Sequence, residues 1–146
     1  MKVSAVASVF AIVVLAVPTL RPASIHSEPD SIVIIVNNSV GVTSLSEAEV
    51  RRFFLKEKER WGNGDKVFPL NAKPGAKVRA LFQQKVLKMT ATEEQAYWQD
   101  QKIKLGKTPP PEFINIPKAV FSLKGSIGYC LRSEHKAGTS KIVLTL

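Results

Sequence analysis

Residues 32–36 read Ile-Val-Ile-Ile-Val, with no polar residue among them. A run that does not alternate predicts a strand covered on both faces, and the expectation is a central, parallel one. A polar loop at 37–43 follows. Ser46 and Glu49 then stand at capping-box spacing, the hydroxyl serving the third helical amide and the carboxylate returning to the cap. The helix they open carries Val50, Phe53, Phe54 and Leu55, with Arg51 and Arg52 on its wet side, and ends in a charged run at 56–60. Trp-Gly-Asn-Gly-Asp at 61–65 reads as a turn into a second strand at 67–70. Past a break at 71–75, apolar residues recur at Val78, Leu81, Phe82, Val86 and Leu87, the helical period, and predict a helix over 76–88.

Thr90 or Thr92 begins the next helix, with Ala96, Trp98 and Ile103 as apolar contacts and Gly106 as its stop. Three prolines make 107–113 a stiff extended loop, neither helix nor central strand. A short helix is expected over 116–123, facing Ala119, Val120 and Leu123 inward. A third strand at 127–131, a polar loop at 132–140 and a last strand at 141–146 complete the chain. Strands alternating with helices in this way indicate an α/β fold.

The remaining residues change the picture at the N-terminus. Lys2 precedes an uncharged run over 3–17, closed by Pro18 and followed by small residues at Ala23 and Ser24. A basic start before an apolar run of this length describes a secretory signal peptide; the other reading is a membrane anchor, for which the run falls short of about 20 apolar residues. The expectation is a signal peptide at 1–27, a single domain at 28–146, a periplasmic address and no stable membrane anchor after cleavage. Cleavage removes Lys2 and Arg21 and no acid, so +7 of the formal +9 remains. A basic surface attracts nucleic acid, anionic lipid or small anions, and export excludes nucleic acid.

Cys130 is the single cysteine, so no intrachain disulfide forms, and its strand-like setting reads as inert core. Two histidines and no clustered cysteines leave no metal pattern. No cofactor is implied, because the glycines match neither the P-loop nor the dinucleotide fingerprint. His135 lacks a nucleophile at motif spacing, and the expectation is that the chain is not an enzyme. Trp61 and Trp98 read as packing residues before ligand aromatics.

The candidate chemistry gathers at residues 66–87. A strand feeding a helix through a tight loop aims unpaired backbone N–H groups at that loop, a natural anion seat. Lys73, Lys77 and Arg79 add positive charge, with Gly75 and Ala76 at the turn; the plainer reading is a solvated helix start. Asn38 and Ser39 follow the first strand at its carboxyl end, where open α/β sheets gather ligands. There they are either polar contacts or an Asx turn serving its own backbone.

The order of these elements resembles a known family. An apolar strand, Val-Asn-Asn-Ser-Val at 36–40, a Leu-Ser-x-x-Glu-Val-Arg-x-Phe-Phe-Leu helix from Leu45, the Trp61-Gly62 turn and a strand-loop-helix ending in Phe82 and Val86-Leu87 are similar to the phosphate-type periplasmic substrate-binding proteins of ABC transporters. The likeness is to the second of their two lobes and runs over residues 32–146, through Lys104-Leu105-Gly106-Lys107 and Gly125-Ser126-Ile127-Gly128-Tyr129. It implies one lobe of a type II periplasmic-binding-protein-like fold: a mixed, mostly parallel sheet flanked by helices. It further implies a small oxyanion such as phosphate as ligand, a transporter permease or other envelope protein as partner, and a role in uptake or sensing. In the family an Asn-Arg-x-x-Gly-Ser-Gly-Thr-Arg loop holds phosphate. Here that stretch is residues 71–79, with Ala72, Ala76 and Val78 in place of the Arg, Ser and Thr, and Gly75 and Arg79 kept. The resemblance would also bring Asn38 and Ser39 near Gly75. The alternative is an interaction module that kept the fold without binding phosphate.

Overall fold

Ile32–Val36 forms β1, and all five of its residues are buried. The computed structural model describes residues 30–146, so the expected leader at 1–27 lies outside the described residues. Helix α1 (Glu47–Phe54) starts at the expected capping box, with Ser46 accepting from the Glu49 amide. The short strands β2 (Phe68–Pro69) and β3 (Asn71–Ala72) lead to α2 (Lys77–Phe82), which widens into one π-helical turn at Gln83–Leu87. Helix α3 (Ala91–Leu105) is capped by Thr90 with Glu93, and Gly106 ends it at a positive φ of 66°. Strand β4 (Glu112–Phe113), helix α4 (Ile116–Ser122), strand β5 (Ser126–Leu131) and strand β6 (Lys141–Thr145) follow.

The main sheet has the order β2-β5-β1-β6 and is mixed, and β3 and β4 pair apart from it. β2 runs parallel to β5, and β3 parallel to β4. The expectation of a parallel β1 is corrected: it is central, but antiparallel to both β5 and β6. An uninterrupted apolar run reports burial on both faces, and a central antiparallel strand under two helical layers meets that condition equally well. Pro69 lies on the edge strand, where its missing N–H removes no ladder bond.

Helices cover both faces. On one, Tyr129 stacks on Phe82 of α2 at 3.9 Å between ring centroids, and Phe54 of α1 closes on Phe82 at 4.6 Å. On the other, α4 presses against Gly128: a Cβ there would stand 2.5 Å from Ile116 Cγ2 and 2.9 Å from Val120 Cγ2. Only glycine admits so close a helix. Leu123, expected inward, is 39% exposed, because α4 ends at Ser122 and the chain turns away through an extended Leu123. Among the described residues no helix is long and apolar enough to cross a membrane.

Candidate functional site

The loop between β3 and α2 turns at Gly75, whose φ of +84° is a conformation that side-chain-bearing residues rarely adopt. Ala76 donates its amide to Lys73 O at 3.2 Å, and Arg79 and Ala80 both donate to Ala76 O. Among the described residues the amides of Lys77 and Val78 have no backbone acceptor, as the first turn of a helix leaves them. Ala76 offers no side-chain cap, and no acidic residue lies in the first turn. Lys73 and Lys77 are exposed beside these amides. The expected turn therefore exists, with two open donors and two lysines.

Arg79 does not join them. It is only 9% exposed; its Nη1 donates to Ala72 O at 2.8 Å and its Nη2 to Glu94 Oε1 at 2.9 Å. Glu94, 4% exposed, completes its shell by accepting from Gln83 Nε2 at 2.5 Å. The guanidinium is spent inside the protein, tying α2 to α3 and to the end of β3. A signal for this lay in the spacing. Arg79, Phe82 and Val86 share one helical stripe, and a cation on the buried stripe needs a carboxylate; Glu94 likewise shares its stripe with buried Trp98.

Beneath the loop, Tyr129 Oη donates to Asn71 Oδ1 at 2.6 Å and accepts from the Ala72 amide at 3.1 Å. Burial pushes the Tyr129 hydroxyl up to about 12, so it stays protonated and able to donate. Cys130 next to it is 1% exposed, and burial pushes its thiol up to about 12. A thiol held in that form is a poor nucleophile and metal ligand.

Asn38 and Ser39 are elsewhere, and the expected proximity to Gly75 is corrected by strand direction. β1 runs against β5 and ends opposite Ile127, whereas β2 runs along β5 and leads onward toward Tyr129. The loops after β1 and after β3 therefore leave opposite ends of the sheet. Both side chains serve the protein's own backbone: Asn38 Nδ2 donates to Gly138 O at 3.3 Å, and Ser39 Oγ accepts from the Gly125 amide at 3.2 Å. Asn37 Oδ1 takes the Ser39 amide at 2.9 Å, the Asx turn that was the other reading of this loop. Trp61 and Trp98 are 5% and 7% exposed, both packed.

On the α3 side of the Gly75 loop opens a groove of about 630 Å³, bounded by α2, α3 and residues 107–112. It was not legible as a site, because its walls come from three separate segments. Trp98, weighed as a packing residue, proves to line it.

No protein-family model and no curated protein matches the sequence. Solved structures match its fold, among them substrate-binding receptors of phosphate ABC transporters. A putative phosphate ABC transporter substrate-binding protein with bound phosphate from Clostridium perfringens is 17% identical at a TM-score of 0.60, covering 78% of this chain and 44% of its own. An ABC-type phosphate transport receptor from Vibrio cholerae is 14% identical at 0.62, covering 78% and 45%. PstS from Borrelia burgdorferi is 14% identical at 0.61, covering 78% and 46%. This chain thus resembles the phosphate-type receptors in fold and spans less than half the length of each.

Proposed function

We propose that the chain is an exported, periplasmic lobe of the phosphate-receptor type that contacts a small oxyanion, phosphate first among them, and serves ABC-type uptake or sensing. It acts as a binder and not as a catalyst. The observation that carries this reading is the Gly75 turn. On a fold shared with phosphate receptors, it leaves the Lys77 and Val78 amides open between exposed Lys73 and Lys77. Gly75 and Ala76 contribute through the backbone. Arg79 holds the loop to Glu94 and does not itself meet the anion. With Ala72, Ala76 and Val78 at three polar positions of the family loop, each lost hydrogen bond weakens anion binding by about 1–3 kcal/mol, so binding is weak.

Calorimetric titration of the purified chain with phosphate and with sulfate tests it. Saturable heat that disappears in a Lys73→Ala/Lys77→Ala variant is expected. No heat at millimolar anion would remove the reading. Arg79 is not the residue to change, because its loss unpairs a buried carboxylate.

A second reading is an envelope interaction module that binds a protein partner, such as a transporter permease, and no phosphate. The Arg79–Glu94 pair favours it, since the arginine kept from the family loop is already neutralised within the chain.

A further inference from the structure

The groove beside α3 is far larger than a bare oxyanion needs. Its 630 Å³ compares with the roughly 10–15 Å³ of such space that admits one water. Its size falls in the usual range for organic ligands and peptide segments, about 300–1,000 Å³. One wall is a continuous helical stripe of α3: Ala91, Glu94, Gln95, Trp98, Gln99 and Lys102. The stripe runs roughly 17 Å at about 1.5 Å per residue, the length of about five extended residues at about 3.3 Å each. Pro74, Ala80 and Pro109 add apolar surface to the lining, and Gln83 adds an amide.

Two further observations set the chemistry. Arg79 Nε and Trp98 Nε1, on lining residues 9% and 7% exposed, are covered N–H donors with no partner among the described residues. A buried donor left unpaired is unfavourable, and both call for an acceptor. The charge balance also asks for an anion. Glu94 is neutralised by Arg79, while Lys77 and Lys102 are exposed, with Lys107 shared between Lys56 O and Glu59; Glu112 is the remaining acid. A second copy of this chain is disfavoured as occupant, because two strongly basic chains repel.

We propose that this groove docks an extended acidic segment of a partner protein. Its carboxylates meet Lys77 and Lys102, its apolar side chains lie on Trp98 and the prolines, and its backbone amides exchange hydrogen bonds with Gln83, Gln95 and Gln99. Amide side chains both donate and accept, which suits a peptide backbone better than a spherical anion. The proposal rests on the interaction-module reading and gives its partner a chemistry.

The test uses the two tryptophans as reporters. In a ¹⁵N-labelled full chain, each gives one indole N–H resonance, with Trp98 in the groove and Trp61 remote, bonded to Gly125 O at 3.0 Å. The probe is an eight-residue peptide alternating glutamate and leucine; its lysine-leucine counterpart is the control. The acidic peptide is expected to shift the Trp98 resonance saturably and leave that of Trp61 in place. Lys77→Glu/Lys102→Glu should weaken this at least tenfold, whereas Lys118→Glu/Lys136→Glu, at exposed positions outside the groove, should change it less than twofold. The proposal is overturned by a Trp98 resonance unmoved at millimolar peptide, by equal loss in the two charge-reversal variants, or by equal binding of the lysine peptide. A shift that follows protein concentration without peptide would also overturn it, in favour of self-association. Inorganic phosphate in a parallel sample tests the oxyanion reading separately, through the Lys77 and Val78 amides.

Discussion

Arg79 and Glu94 meet at 2.9 Å between α2 and α3, with side chains 10% and 5% exposed. A buried pair of this kind stabilises little relative to an apolar replacement, but losing one partner strands a charge. Glu94→Ala is expected to cost about 3–5 kcal/mol, and Arg79→Met/Glu94→Leu to be nearly neutral or stabilising. Urea denaturation of the parent chain and the two variants measures both. If Glu94→Ala were as mild as the double change, the pair would not hold α3 in place.

The same pair predicts an anion rescue. Without Glu94, the guanidinium beside the groove has no counter-charge, and a small anion that reaches it binds the folded state alone. Phosphate or sulfate should raise the melting temperature of Glu94→Ala more than that of the parent chain. Equal shifts in both proteins, read by thermal unfolding at matched ionic strength, would show that Arg79 stays closed to anions.

Gly128 sets the distance of α4 from the sheet. Gly128→Ala places a methyl 2.5 Å from Ile116 Cγ2, an overpacking expected to cost about 1–3 kcal/mol. Chemical denaturation checks the loss. Gly75→Ala meets no atom within 4 Å, so its cost comes from the positive φ alone.

Tyr129 and Cys130 predict how stability responds to alkali. Both folded values are raised, from 10.0 and 9.0 to about 12, chiefly by burial. The unfolded chain then releases these protons first. Their contribution is complete below pH 9 and falls away as pH rises toward 12. Urea midpoints should therefore decline across that window, less so in Cys130→Ala. Cys130 should react with a disulfide reagent slowly in the native protein at pH 8 and at once in denaturant.

Ser46 and Glu49 predict an acid-side effect of opposite sign. Backbone and side-chain hydrogen bonds from Ser46 hold the Glu49 carboxyl below its ordinary 4.5. A depressed carboxyl stabilises above the unfolded value and loses that contribution as pH falls through the folded one. Ser46→Ala should cost about 0.5–2 kcal/mol at neutral pH and less at pH 3, as urea midpoints at the two pH values would record.

Much of this architecture is legible in the chain. The Ser46 box, the Gly106 stop and the apolar stripe of Val50, Phe53 and Phe54 each complete their interactions within a few residues, so spacing announces them. β4 has no local signature, because its pairing with β3 lies some forty residues away and spans two residues a side. The π-helical turn after Phe82 likewise has no signature in the apolar period, which runs through it unchanged.

Local chemistry therefore determined the long helices and the strands β1, β5 and β6, where the chain turns at Gly75, and that the surface is basic. Tertiary structure alone decided that β1 runs against β5, which sends Asn38 and Gly75 to opposite ends of the sheet, and that Arg79 faces Glu94 instead of solvent. The reason is physical. A cap or a helical stripe is satisfied by neighbours in sequence, whereas strand direction and the partner of a buried charge depend on which distant groups the folded chain brings together.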